Sequence, residues 1–370
     1  MSASRFVVGL EGAELTERER ALFGASPPLG YILLARNMES APQTADLIAE
    51  LRALTEPDGP TPLLFVDQEG GTVDRLGPIL GASFASPRRC ATAGTDRVHE
   101  NAYLMGRAAR MLGFDVDFAP AVDLGQPGTG EVILPGRTFG FHSEDVVVAG
   151  MMFLHGLTRA GIASCLKHFP GLGRGAVDSH LERPIVDAHD VDLMVTDVAP
   201  FTRLARIADG IMVGHASYPG FTKDSTPASL SPVIHQILRG PVGFSGVVYS
   251  DDLLMGALEG TVPERAARAA AAGCDVLVMS KGFDAYEDAI AAVAALAETR
   301  EGNRPTEMRI AALRALCLAA PRPAFDLDAW EQLGQEVALF TEMLDKPRPR
   351  RVPEDEDAGM EPIDPIEPIE

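Results

Sequence analysis

Eight short apolar runs, each separated from the next by a stretch of helical character, constrain this chain more than any other feature. They are RFVVGL (5–10), YILLAR (31–36), LLFVD (63–67), VDFAP (116–120), ASCLKH (163–168), IMVGH (211–215), VVYSD (247–251) and VLVMS (276–280). Each run is continuous rather than alternating, the pattern of strands buried on both faces of a parallel sheet. The segments between them space their apolar residues for helices. QTADLIAELRAL (43–54) sets Leu47, Leu51 and Leu54 on one face, and 100–112, 146–160 and 263–272 behave alike. Eight β-then-α units predict an α/β fold, a single TIM-like (β/α)₈ barrel occupying residues 1–345. The competing architecture is a doubly wound open sheet. It usually has fewer strands and a Gly-rich phosphate turn after the first, and no GxGxxG follows RFVVGL. Helical segments at 284–299, 305–319 and 327–345 follow the last strand, where they are expected to seal the barrel exterior.

Residues 346–370 read as a disordered, Pro-rich acidic tail. From Val352 onward there are eight acids and no Lys or Arg, and Pro353, Pro362, Pro365 and Pro368 break any helix. These eight acids supply −8 of the formal charge of −21, leaving −13 for residues 1–351. An excess of this sign argues against nucleic acid or an anionic membrane as the main partner, since both select for clustered Lys and Arg. The four cysteines, Cys90, Cys165, Cys274 and Cys317, form no CxxC pair and are expected to be buried reduced thiols. The N-terminal apolar run is about five residues, shorter than a signal-peptide core, and no run reaches ~18 apolar residues. A cytoplasmic protein without a membrane span is expected, with a monomer favoured.

Catalytic groups of such barrels sit where strands end. Here Asp67 ends the third run, Lys167 and His168 the fifth, His215 the sixth, and Ser250-Asp251-Asp252 the seventh. Taken singly, a strand-terminal Asp can simply cap the next helix. Several converging on one barrel mouth point to a site. The connection after the fifth run, KHFPGLGRGAVDSHLERP (167–184), is long for a βα loop and rich in glycine. It carries Asp178 and His180 two residues apart. A carboxylate beside an imidazole can orient the ring and raise its proton affinity, giving a proton donor and acceptor near neutral pH. A metal site is disfavoured: no HxH pair occurs, the histidines are dispersed, and Lys167 brings a positive charge.

The segments VDQEGGTVDRL (66–76), DFAPAVDLG (117–125), GRTFG (136–140), KHFPGLG with DSH (167–180), GHASYP (214–219), GFSGVVYSDDLLM (243–255) and AGCDVLVMS (272–280) resemble the bacterial β-N-acetylglucosaminidases of glycoside hydrolase family 3. The resemblance runs in order over roughly residues 5–320. It implies a retaining mechanism through a covalent glycosyl-enzyme, with Asp251 as nucleophile, His180 as acid/base and Asp178 as its partner. It also implies that Asp67, Arg75, Arg137, Lys167 and His168 surround the N-acetylglucosamine, with Met255 and His215 lining the same pocket. No cofactor or metal is implied, and the partner is a small carbohydrate. Most glycosidases use two carboxylates; the His on a loop marks this branch. Asp252 is read as structural, because it would point away from Asp251 in a continuing strand, and Asp123 as a structural strand-end acid. One departure is Leu172, where the family's KHFPGHG pattern has His. The implied activity is exo-acting removal of terminal β-linked N-acetylglucosamine, from muropeptides in cell-wall recycling. The alternatives are another sugar preference within the family, a phosphorylase, or a non-catalytic sugar-binding relative.

Overall fold

Every apolar run forms a strand: β1 (Phe6–Gly9), β2 (Gly30–Leu33), β3 (Leu63–Val66), β4 (Val116–Asp117), β5 (Ala163–Phe169), β6 (Gly210–Val213), β7 (Val247–Asp252) and β8 (Val276–Met279). All pair in parallel and in chain order, and β8 closes on β1 to complete a (β/α)₈ barrel. The computed structural model describes residues 3–55, 59–126, 134–177, 182–281, 283–297 and 304–345; the predicted tail lies outside them.

The continuous hydrophobicity of the runs follows from burial on both faces. In β3, Phe65 points into the barrel while Leu64 and Val66 face the surrounding helices, and neighbouring strands repeat this. Phe118, just past β4, stacks inside between Phe65 and Tyr249, with ring centroids 5.2 and 5.1 Å away. The barrel is therefore a filled core rather than a pore. The helices start where their sequences direct. Thr16 with Glu19, and Thr261 with Glu264, form capping boxes.

The segment expected against the exterior at 305–319 is a helix, Arg304–Ala319, but it closes the floor. Its Ile310, Leu313 and Cys317 join the inward-facing core. Its Arg314 bonds the backbone carbonyls of Thr61 and Leu29, just before β3 and β2. Polar staples reinforce this floor. Asp115, Asp209 and Asp275 immediately precede β4, β6 and β8, and their carboxylates accept the N–H groups of Leu64, Ser164 and Val248 at 3.0, 2.9 and 2.9 Å. Arg52, Arg110 and Arg322 surround Asp115, and Arg239 and Arg309 hold Asp275. The later helix Leu327–Leu344 does lie outside, with the Trp330 indole donating to the Ile79 carbonyl. All four cysteines are buried free thiols. Among the described residues no helix is long and apolar enough to cross a membrane.

Two register shifts sit near the carboxyl ends of the strands. Between β5 and β6, Leu166 pairs with Ile211 but Phe169 pairs with Val213. Between β7 and β8, Tyr249 pairs with Val276 but Asp252 pairs with Val278. In each case three steps on one strand match two on the other. Such bulges interrupt the inward/outward alternation and re-aim side chains.

Candidate active site

A cavity of about 450 Å³ opens at the carboxyl ends of the strands. Its wall brings together Asp67, Arg75, Arg137, Lys167, His168, Asp251 and Met255, all singled out from the sequence. The bulges explain why adjacent residues share this wall. Lys167 and His168 both reach it, and so do Asp251 and Asp252. The expectation that Asp252 turns away fails because strand alternation is broken there. Asp252 is nevertheless fully engaged. It accepts the Ser280 and Leu254 N–H groups at 3.2 Å each, and the Ser280 hydroxyl as well.

Four of the wall's charged groups pair with one another. Lys167, only 3% exposed, donates to Asp67 Oδ1 at 2.8 Å and contacts Glu69 Oε1 at 2.6 Å. Arg137 grips the same Glu69 with Nε and Nη2, both at 2.8 Å. Burial alone would raise the Glu69 pKa, but Arg137 first and Lys167 second outweigh it and hold the carboxyl well below the usual carboxylate range. For both cations burial is likewise opposed and overcome. Glu69 holds Arg137 in its charged form, and Asp67, then Glu69, does so for Lys167. Deeper still, burial pushes Asp117 well above its ordinary value, while it accepts the Gln68 N–H at 2.9 Å.

The sequence reading assigned Glu69 no role. Its signal lay in the QEGG that follows Asp67. Gly70 and Gly71 have φ of 85° and 63°, and a Cβ on either would meet Ala85 O at 2.2 Å or Ser86 Cβ at 2.5 Å. Only glycine permits this tight return, which seats Glu69 beneath two cations that had no assigned counter-charge. Gln68 organises the rest of the loop. Its Oε1 accepts the Arg75 and Leu76 N–H groups at 2.8 and 2.9 Å, and its Nε2 donates to Asp74. Arg75 is thereby held at the cavity wall, with its buried Nε unbonded among the described residues.

Asp123 holds the β5 end. It accepts the His168 N–H and the Leu172 N–H, and its Oδ2 lies 2.8 Å from His168 Nδ1. Leu172 itself joins the cavity wall. His215 does not. It is 1% exposed behind the wall, with Nδ1 2.8 Å from Ser229 Oγ and Nε2 2.9 Å from the Asp252 carbonyl oxygen. Its placement in the pocket is corrected accordingly: both ring nitrogens are spent on internal partners. Asp178 and His180 lie outside the described residues. Among the described residues no cluster of three or more His, Cys, Asp or Glu is arranged to hold a metal.

The sequence profile of the glycosyl hydrolase family 3 N terminal domain matches residues 13–313. A beta-hexosaminidase of Stenotrophomonas maltophilia is 37% identical over 287 residues, spanning 74% of this chain and 82% of its own. Native NagZ from Neisseria gonorrhoeae superposes with a TM-score of 0.76 at 27% identity, over 93% of this chain and 98% of its own. The structure of that protein with N-trifluoroacetyl-D-glucosamine gives 0.73 at 26%, over 90% and 98%.

Proposed function

The chain belongs to glycoside hydrolase family 3 and is a glycoside hydrolase, and from that premise we propose that it is an exo-acting, retaining β-N-acetylhexosaminidase removing terminal β-linked N-acetylglucosamine. The observation that carries this reading is the cavity wall. It sets Asp251, at the end of a strand, beside cations and carboxylates that neutralise one another. Two cations and two carboxylates that offset one another donate and accept hydrogen bonds without demanding a charged ligand, which suits a neutral, polyhydroxylated sugar. The names of the relatives and the glucosamine derivative bound to the Neisseria protein support the same sugar.

In the proposed reaction an Asp251 oxygen bonds to the anomeric carbon as the bond to the leaving oxygen breaks, and that oxygen takes a proton from His180. Water then gives a proton to His180 and attacks the anomeric carbon, and the Asp251 ester bond breaks. Asp178 orients His180. Asp67, Arg75, Arg137, Lys167, His168 and Met255 hold the sugar. Residues 1–345 form the catalytic unit and 346–370 an appended tail, acting as a cytoplasmic monomer on muropeptides during cell-wall recycling.

A second reading has one observation in its favour: the contact of Asp123 with His168 also makes a carboxylate–imidazole pair at the wall. One experiment separates the two. The native chain and its Asp251→Asn, His180→Ala and His168→Ala variants are assayed on aryl β-N-acetylglucosaminides of differing leaving-group acidity, with product anomers followed by NMR. The proposal expects retention in the native chain, loss of turnover in Asp251→Asn, and a penalty in His180→Ala that grows as the leaving group becomes more basic. Inverted product, near-native Asp251→Asn, or leaving-group dependence confined to His168→Ala would overturn it.

A further inference from the structure

The β7 bulge leaves Asp251 where regular ladder pairing is interrupted, between Tyr249 paired to Val276 and Asp252 paired to Val278. A nucleophile needs its reacting oxygen within about 3–3.5 Å of the carbon it attacks, so something other than the ladder must fix it. The bonds converge on the next residue. The Asp252 N–H donates to Asp251 Oδ1 at 2.8 Å. The Asp252 carbonyl accepts the Met255 N–H at 3.0 Å and faces His215 Nε2 at 2.9 Å. The backbone of one residue, Asp252, thus links the nucleophile through its N–H with a cavity-wall methionine and a buried imidazole through its carbonyl.

We propose that His215 and Ser229 form a positioning pair that fixes the Asp251–Met255 turn from behind the cavity wall. The inference rests on the reading of Asp251 as nucleophile. A carbonyl oxygen only accepts, so the proton of His215 sits on Nε2, and Nδ1 accepts from the Ser229 hydroxyl. Ser229 is itself anchored, its N–H donating to the Gly214 carbonyl at 3.0 Å. The ring must also be neutral. An imidazolium at this place would set a positive charge near the nucleophile and blunt its attack. Burial lowers the proton affinity of His215 against the opposing pull of Asp251 and the Asp252 carbonyl, and Arg265 lowers it further. His215 is therefore a positioning residue that never touches substrate.

The test compares His215→Phe, which keeps the ring but removes the donor, with His215→Gln, whose amide nitrogen can replace Nε2, and with Ser229→Ala. Each is measured for kcat and KM on an aryl β-N-acetylglucosaminide and for its melting temperature. A misaligned nucleophile predicts that His215→Phe lowers kcat by about 10- to 100-fold with KM within about threefold. His215→Gln should recover most of that loss, and Ser229→Ala should lose about threefold or more. A folded His215→Phe with native kcat, or a His215→Gln no better than His215→Phe, overturns the proposal. If His215→Phe does not fold, Ser229→Ala decides: native kcat there overturns it, and reduced kcat at native melting temperature supports it. A native chain inactive on all aryl glycosides refutes the parent reading first, before any variant is compared.

Discussion

Removing the Glu69 charge should damage both stability and sugar binding, and the structure sets the scale. Glu69 is 1% exposed and is shared by Arg137, in a two-point contact, and by Lys167 at 2.6 Å. With Asp67, these groups carry two positive and two negative charges. Glu69→Gln leaves the set one positive charge in excess and turns amide hydrogens toward two cations. Removing one partner of a buried ion pair costs about 3–5 kcal/mol. Asp67, 24% exposed, still faces Lys167, so the middle of that range, about 4 kcal/mol, is appropriate. At roughly 2 cal/mol/K of unfolding entropy per residue over a barrel of about 320 residues, this lowers the melting temperature by about 6 °C. The pH dependence has a definite sign. The Glu69 carboxyl lies well below its ordinary value in the folded protein, so its stabilisation is complete above the unfolded value near ~4.3 and fades as pH falls below it. The gap in melting temperature between native and variant should be constant from about pH 7 to 5 and narrow toward about pH 3. Scanning calorimetry across that range measures it. Kinetics on an aryl β-N-acetylglucosaminide should show KM raised about tenfold, since Arg137 and Lys167 lose their fixed orientation. A melting temperature within about 1 °C of native at neutral pH, or a gap that does not narrow in acid, would refute the reasoning.

Two further outcomes bear on the scaffold. Asp275→Asn, at the floor, removes the charge that holds Arg239 and Arg309 at 2.7 and 2.6 Å; it should cost about 3 kcal/mol in chemical denaturation while leaving kcat and KM at 25 °C within about twofold of native. Asp123→Asn, at the mouth, should do the reverse in emphasis: its weakened hold on the His168 ring and the Leu172 N–H should raise KM about tenfold for a smaller loss, about 1–2 kcal/mol, in the same denaturation assay.

Strands were legible in the sequence because a strand buried on both faces declares itself locally, in a short and mostly apolar run. Asp67, Lys167, His168 and Asp251 were legible for a related reason: each ends such a run. What escaped depends on partners far away in the chain. Glu69 becomes a shared counter-ion only because the closed barrel brings Arg137 and Lys167 above it, residues 68 and 98 positions further on. His215 reads as a pocket residue until Ser229 and the Asp252 carbonyl claim both its nitrogens. The pairing of Asp251 with Asp252 on one wall depends on a bulge, and no residue type in VVYSDD announces one. The floor staples are similar. Asp115, Asp209 and Asp275 look like ordinary loop acids, and only the register of the neighbouring strands shows that each accepts a buried strand N–H.

The described wall also bears on where the proton-transfer group must come from. A retaining glycosidase asks one group to donate to a leaving oxygen and then to accept from water at nearly the same place. Asp67 is tied up in its ion pair with Lys167, and Glu69 is held as an anion by Arg137 and Lys167. Asp252 is occupied by acceptor bonds from Ser280 and Leu254. His168 has a suitable partner in Asp123, but the Asp123 carboxylate also pins its N–H and that of Leu172, so the ring is fixed to the β5 end. A fixed wall suits the groups that hold the sugar and the carboxylate that attacks it, because their targets do not change between the two steps. The acid/base has two successive targets, the leaving oxygen and the incoming water. The segment between Val177 and Glu182 begins a few residues beyond the pinned Leu172, and it holds Asp178 and His180. On the proposed reading, the strand ends hold the sugar and supply the nucleophile, and Asp178 and His180 supply the proton transfer.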